Sequence, residues 1–340
     1  MLKKAMKTNE FFVLIALIVL CIIIGIANPV FFTTGNAVSL MKNAVVMGIM
    51  TFALMPGIVA GGIDVSFPAI AVCGMFTTSK VMESIDYSGP VILPILMSIG
   101  IGTVLGLLNG LIITKFSLPA FIVTLGTSSL YYGLLITLVG SKPVNRLCKP
   151  MEEFGKAVMI SGNSGAVTTT CTWTFLFLVA VALIVYFMLK YTMLGRGIYA
   201  IGGNRTSAER AGFNVNGILI FVYTFIGACA GLAGICHTMQ ARICMPTDLM
   251  GSEMLCIAAV VLGGTNIAGG KGTVIGTTLG LILITVARSS LTLVGVDSSW
   301  QQMIVGIVIV GGTALSAYKE LKNSRKIAKI LDDREVSKHE

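Results

Sequence analysis

GRGIYAIGGNRTSAERAGF, residues 195–213, admits two readings, and they lead to different folds. Its first six residues, Gly195-Arg196-Gly197-Ile198-Tyr199-Ala200, fit G-x-G-x-x-G/A, the turn of a dinucleotide-binding βαβ unit. That unit needs a strand before the glycines and an acidic residue about 20 residues later. The preceding run is instead FLFLVAVALIVYFMLKY (175–191), and residues 217–234 read GILIFVYTFIGACAGLAG, with no acid among them. The stretch is a polar loop between two runs of membrane-helix length. A second glycine-rich stretch, GGTNIAGGKGT (263–273), is not a Walker A loop, because Gly272 follows Lys271 where Ser or Thr is needed.

The same alternation runs along the chain. Of 340 residues, 55% are hydrophobic and 11% charged, against about 25% charged in a soluble domain. Apolar blocks recur at 11–31, 43–61, 67–83, 91–114, 119–140, 171–190, 217–240, 253–264, 273–294 and 300–318. Most have the ~20 residues that cross a ~30 Å hydrocarbon layer as helix. The third is interrupted by Thr77, Thr78 and Lys80, and the eighth is short and ends in glycines. The expected fold is all-α, a polytopic transmembrane helix bundle of about ten segments with some helices broken at glycine. The first apolar run is too long for a signal peptide and lacks an A-x-A cleavage site, so it reads as a retained helix.

The net charge of +9 is the kind that holds loops on the cytoplasmic side, and it implies a lipid bilayer rather than nucleic acid. With residues 1–10 inside, ten crossings return the C-terminus to the cytoplasm. Sixteen of the 24 Lys and Arg then fall inside. Seven fall outside (Lys42, Lys80, Lys142, Arg146, Lys149, Lys156 and Arg242), and Arg288 stays within the membrane. The organisation expected is a membrane domain over 1–318, with a cytoplasmic loop at 191–216 and an outward-facing loop at 141–170, then a charged cytoplasmic tail over 319–340. The eight cysteines are scattered, no C-x-x-C occurs, and His237 and His339 are the only histidines, so no metal site is expected. Buried packing is the expected role of the thiols.

Within the opening stretch, Asn204 suits an N-cap, Thr206 to Glu209 fits a capping box, and Gly212 suits the C′ position. The caps leave room for about two turns of helix, roughly 10 Å. So short a helix leans on its own membrane domain or on a partner. Glycine-rich breaks also fall at Gly57–Ser66 and Gly263–Gly272. Such breaks are either solute contacts or ordinary interfacial turns and close helix contacts. Asp64 beside Ser66 is an ionisable group at membrane depth, which marks a pathway or else caps the helix that follows. Asn109, Thr124, Thr127, Asn266 and Arg288 are further in-membrane polar groups, serving a solute path or bonds between helices. Gln240, Glu253, Gln301 and Gln302 fall near the outer ends, where an extracytoplasmic protein would meet them.

The whole pattern resembles the ribose-type sugar ABC transporter permease family. The resemblance rests on GGIDVS (61–66), LGLLNGLIITKFSLPAFIVTLGTSSLYYGL (105–134), GRGIYAIGGNRTSAERAGF, IAAVVLGGTNIAGGKGTVIGT (257–277) and SSWQQMIVGIVI (298–309), and covers about residues 35–318. It implies a multi-pass permease of the bacterial cytoplasmic membrane, paired with a second permease copy as a homo- or heterodimer. A cytoplasmic ABC ATPase and an extracytoplasmic solute-binding protein complete the transporter. No cofactor is expected on this chain; ATP and Mg belong to the ATPase, so the chain is a transport subunit and not an enzyme. Gly195, Arg196, Gly202, Gly203, Asn204, Arg205, Thr206, Glu209, Arg210 and Gly212 match the segment that couples to the ATPase. The arginines serve that contact, or else topology and headgroups alone. Two departures bear on cargo: Phe67-Pro68-Ala69 replaces a Val-Gly-Ser run, and Leu255 stands where the family's Glu-Leu-Asp-Ala has its Asp. Alternatives are a same-family permease for a nucleoside, polyol or signalling furanose, and an ion-gradient-driven secondary transporter. No His/Asp/Glu or Ser/His cluster supports a membrane enzyme.

Overall fold

The computed structural model describes residues 9–164 and 167–293, together with 295, 300, 303, 306, 307 and 310. Helices α1 (Asn9–Ala27), α2 (Thr34–Val59), α3 (Phe67–Ser84), α4 (Ile92–Lys115) and α5 (Ala120–Leu138) come first. Then follow α6 (Lys149–Lys156), the hairpin β1 (Val158–Ser164) and β2 (Val167–Thr172), and α7 (Thr174–Tyr191). Two short helices, α8 (Met193–Gly203) and α9 (Arg205–Arg210), precede α10 (Val215–Ala241), α11 (Glu253–Leu262) and α12 (Val274–Leu293). Among the described residues seven helices, α1, α2, α4, α5, α7, α10 and α12, are long and apolar enough to cross a membrane. Gln301, Gln302, the tail 319–340 and most of the tenth apolar block lie outside the described residues.

Burial sorts the helices. On α1 the large side chains Ile15, Ile18, Ile22, Ile23 and Ile26 are exposed, as helices facing hydrocarbon require. By contrast α3, too polar to count as a span by composition, is buried from Phe67 to Phe76 among α4, α5 and α10. At the centre α4 and α10 pack backbone to backbone. A Cβ on Gly106 would stand 2.9 Å from the Gly227 Cα, and one on Gly110 would stand 2.9 Å from the Ile220 Cα. Ser98 Oγ donates to the Gly231 carbonyl at 2.7 Å across the same seam. Small residues four apart let membrane helices approach this closely.

Loops gather at two opposite ends. At one, Glu10 meets Thr273, Gly270 meets Val59, and Tyr199 meets Gly272. At the other, the hydroxyls of Thr33 and Ser164 hydrogen-bond, Val144 pairs with Cys244, and Gln240 donates to Thr174. The segment 141–170 thus has structure of its own, an eight-residue helix and an antiparallel hairpin. Helix α2 starts at Thr34, ahead of the apolar run at 43, because Thr33 accepts from the Asn36 amide as N-cap and the hairpin packs on this first turn.

Candidate functional site

Two features stand at the two ends: a junction of broken helices and an open cavity.

The junction is built from the stretch at 195–213. In place of one short helix there are two, and the glycine-rich half is itself helical. Thr192 caps α8 by accepting from the Gly195 amide at 3.1 Å. GRGIYA therefore lies inside a helix that follows another helix, and no strand precedes it. Asn204 ends α8 and caps α9, its Oδ1 accepting from the Ser207 amide at 2.9 Å. Thr206 does not close a capping box, since its hydroxyl donates to Asn204 at 2.7 Å and Glu209 turns to Arg205 at 3.4 Å. Asn204 reaches the amides first and leaves Thr206 nothing to cap. Gly212 takes the C′ role, with φ +87° and its amide on the Glu209 carbonyl. Arg196, Arg205, Thr206, Glu209 and Arg210 are all exposed.

Both helix breaks meet the end of α8. Helix α2 runs through Pro56 and Gly57 and stops at Val59. The Val59 carbonyl, left without a helical partner, accepts from the Gly270 amide at 2.8 Å. Gly202 is wedged against this bond, and a Cβ there would fall on the Val59 oxygen and within 2.5 Å of the Gly270 nitrogen. Tyr199 Oη donates to the Gly272 carbonyl at 2.7 Å. Asn266 shapes the loop, its Oδ1 accepting from the Ala268 amide.

Beside the junction, the chain from Ile63 enters α3 through a buried polar chain. The Asp64 Oδ1 accepts from the Ser66 amide at 2.7 Å and from the Ser66 hydroxyl at 2.6 Å. Asn109 donates to Ser66 Oγ at 2.8 Å, and Tyr131 Oη donates to Asn109 at 2.9 Å. Thr124 accepts from the Val65 amide, and Thr127 donates to the Thr124 carbonyl. Asp64, Ser66, Asn109 and Thr124 are wholly buried. Asp64 thus closes a turn onto Ser66, the residue at the N-cap of α3, which has no side-chain cap bond, and Asp64 Oδ2 has no partner among the described residues.

At the far end lies a cavity of about 710 Å³ between α2, α10, α11, α12 and the loop before α11. Lys42, Asn43, His237, Gln240, Arg288 and Ser289 supply its polar wall. His237 Nε2 and Asp248 Oδ2 are 3.2 Å apart, and Asn43 Nδ2 donates to Ser289 Oγ at 3.0 Å. Leu255 is part of the wall. Glu253 is half-buried at the start of α11, and its Oε2 has no hydrogen-bond partner.

The expected path residues therefore separate. Asp64, Ser66, Asn109, Thr124 and Thr127 form one cluster, Asn266 belongs to the junction, and Arg288 lines the cavity, together with Gln240, which was expected at the binding protein instead. Lys42, Asn43, Thr285, Ser289, Tyr131 and Tyr199 were missed. Arg288 carried a usable signal, a cation inside an apolar block, and Lys42 only adjoins one; their convergence across 246 residues has no local trace.

Residues 36–312 match the family described as the permease component of the branched-chain amino acid transport system. The chain is 34% identical over 298 residues to the ribose import permease protein of Escherichia coli K12, covering 87% of this chain and 90% of that one. It is 32% identical over 333 residues to the galactose/methyl galactoside import permease protein of the same organism, covering 93% and 97%. The D-allose transport system permease protein of that organism is 30% identical over 311 residues, covering 91% of each chain. No solved structure matches the chain. A permease component is a transport subunit and not an enzyme, and it works with an ATPase and a binding protein. The chain belongs to the sugar ABC transporter permease family and is a multi-pass permease subunit of an ABC importer in the bacterial plasma membrane.

Proposed function

We propose that this subunit carries a sugar or sugar-derived solute inward, driven by an ATPase seated on α8 and α9. The observation that carries the reading is the junction. One capped, exposed pair of helices touches both helix breaks by backbone contacts that no side chain cushions. Closure of nucleotide domains against Arg196, Arg205, Glu209 and Arg210 would reach α2 through Val59 and α12 through the loop 263–273. Those two helices carry Lys42 and Arg288 at their far ends, in the cavity wall. ATP and Mg reside on the ATPase, and this chain binds no cofactor.

The same proposal sets the topology. Ten crossings, counting α11 with its glycine-rich extension and the block at 300–318, put both termini and the tail 319–340 in the cytoplasm. The membrane unit spans 1–318. Loop 191–216 then faces the ATPase, and 141–170 faces outward with Gln240, Glu253 and Gln301, toward the binding protein. Alternation of the two loop clusters along the chain supports this arrangement. A second permease copy, identical or related, completes the pathway. Asp64, Ser66, Asn109, Thr124 and Thr127 position α3 along that pathway, and Asn266 positions the break.

The test is uptake into vesicles holding the permease with its ATPase and binding protein. Uptake is expected to require both partners and ATP. Uptake that persists without the ATPase would contradict the proposal.

A further inference from the structure

We infer that the outer cavity receives an anionic solute, a polyhydroxylated carbon chain bearing a carboxylate or phosphate. The inference rests on the importer reading above and adds the charge of the cargo.

Lys42 on α2 and Arg288 on α12 both line the cavity. Among the described residues neither makes an ion pair or a hydrogen bond. An uncompensated cation on a membrane helix is costly and marks a solute or ion pathway. Here two converge on one space. The nearby carboxylates do not neutralise them. Asp248 is held by His237 at 3.2 Å. Glu253 lies in the first turn of α11, where the helix N-terminus offsets its charge, and it is not part of the cavity wall. Leu255, one helical step further, presents an apolar side chain to the cavity.

The rest of the wall suits hydroxyl groups. Asn43 and Ser289 form a linked amide and hydroxyl at 3.0 Å. Gln240 uses its amide nitrogen on Thr174, which leaves its carbonyl oxygen available. Thr285 also lines the cavity, with its own Oγ1 covered. Met47, Met50 and Leu249 offer apolar surface to the C–H faces of a sugar chain. A neutral sugar would satisfy the hydroxyl groups and leave both cations without a counter-charge among the described residues. A carboxylate or phosphate satisfies both sets, with Arg288 able to bind it through two parallel N–H groups.

Vesicles holding the complete transporter are offered D-galactose against D-galacturonate, and D-ribose against ribose 5-phosphate. The anionic member of at least one pair is expected to enter about tenfold faster. Lys42→Gln and Arg288→Gln should each lower the anion-to-neutral ratio, while Lys42→Arg and Arg288→Lys should keep it. ATP-dependent uptake of neutral sugars alone, or a ratio unmoved by both glutamine variants, overturns the charge assignment and leaves the importer reading standing. ATP-independent uptake overturns the importer reading instead. Loss of binding-protein docking with an unchanged ratio would assign the two cations to a protein contact and sink the inference.

Discussion

The amide of Gly270 donates to the carbonyl of Val59 at 2.8 Å, and that bond ties the end of α2 to the glycine-rich loop ahead of α12. Val59 ends α2, and Gly270 lies in the loop that leads into α12. Gly202 of α8 rests on both atoms.

Gly202→Ala is therefore expected to damage coupling far more than its size suggests. Its methyl group must displace the Val59 oxygen or the whole of α8. Uptake per ATP hydrolysed should fall about tenfold, the effect of ~1.4 kcal/mol. Gly203→Ala is the control, since a Cβ there meets nothing within 4 Å. Equal coupling in the two variants would show that the junction does not transmit motion.

The seam between α4 and α10 carries stability. Gly106→Val places branched carbons where the Gly227 backbone now lies, and overpacking of this kind costs roughly 1–3 kcal/mol. The thermal midpoint in detergent should drop. Gly126→Ala on α5 meets open space and should leave it unchanged. A midpoint insensitive to Gly106→Val would mean that α4 and α10 do not pack as described.

Asp64→Ala removes the acceptor used by both the amide and the hydroxyl of Ser66. Orphaned buried donors cost about 1–3 kcal/mol. Asp64→Asn keeps the Oδ1 acceptor and should lose less. Identical thermal midpoints for the two variants would argue against this Asp64–Ser66 turn.

Three cysteines lie in the segments between spans, and burial pushes the thiols of Cys148, Cys171 and Cys244 up from their ordinary value. Thiolate is the reacting form, so it becomes scarcer at neutral pH and alkylation slows. Maleimide should label the folded protein at about a tenth of the denatured rate or less. Rising pH should speed labelling, because it restores thiolate. Rapid labelling at pH 7 would contradict the packing of this end.

The apolar blocks were legible because membrane helices need length and little else, and the caps at Asn204 and Gly212 were legible because capping is local. Helix α8 was not. Glycine costs about 1 kcal/mol in a helix interior, and in GRGIYAIGG Gly195 sits against the end of α7, Gly197 against Ile218 and Gly202 against Val59 and Gly270, tertiary reasons invisible along the chain. The hairpin at 158–172 was likewise silent, since Thr168 to Thr172 shows no clear alternation of apolar and polar residues. The same limit hid the cavity: Lys42 read as a loop cation and Arg288 as a lone in-membrane group, and only folding sets them in one wall.

The most direct test of the central claim, that α8 and α9 face the ATPase, is site-specific photo-crosslinking in the assembled transporter. A photoreactive residue replacing Arg210 is expected to capture the ATPase, and one replacing Lys156 on α6 should capture the binding protein. Capture of the binding protein from position 210, or of the ATPase from position 156, would contradict the account.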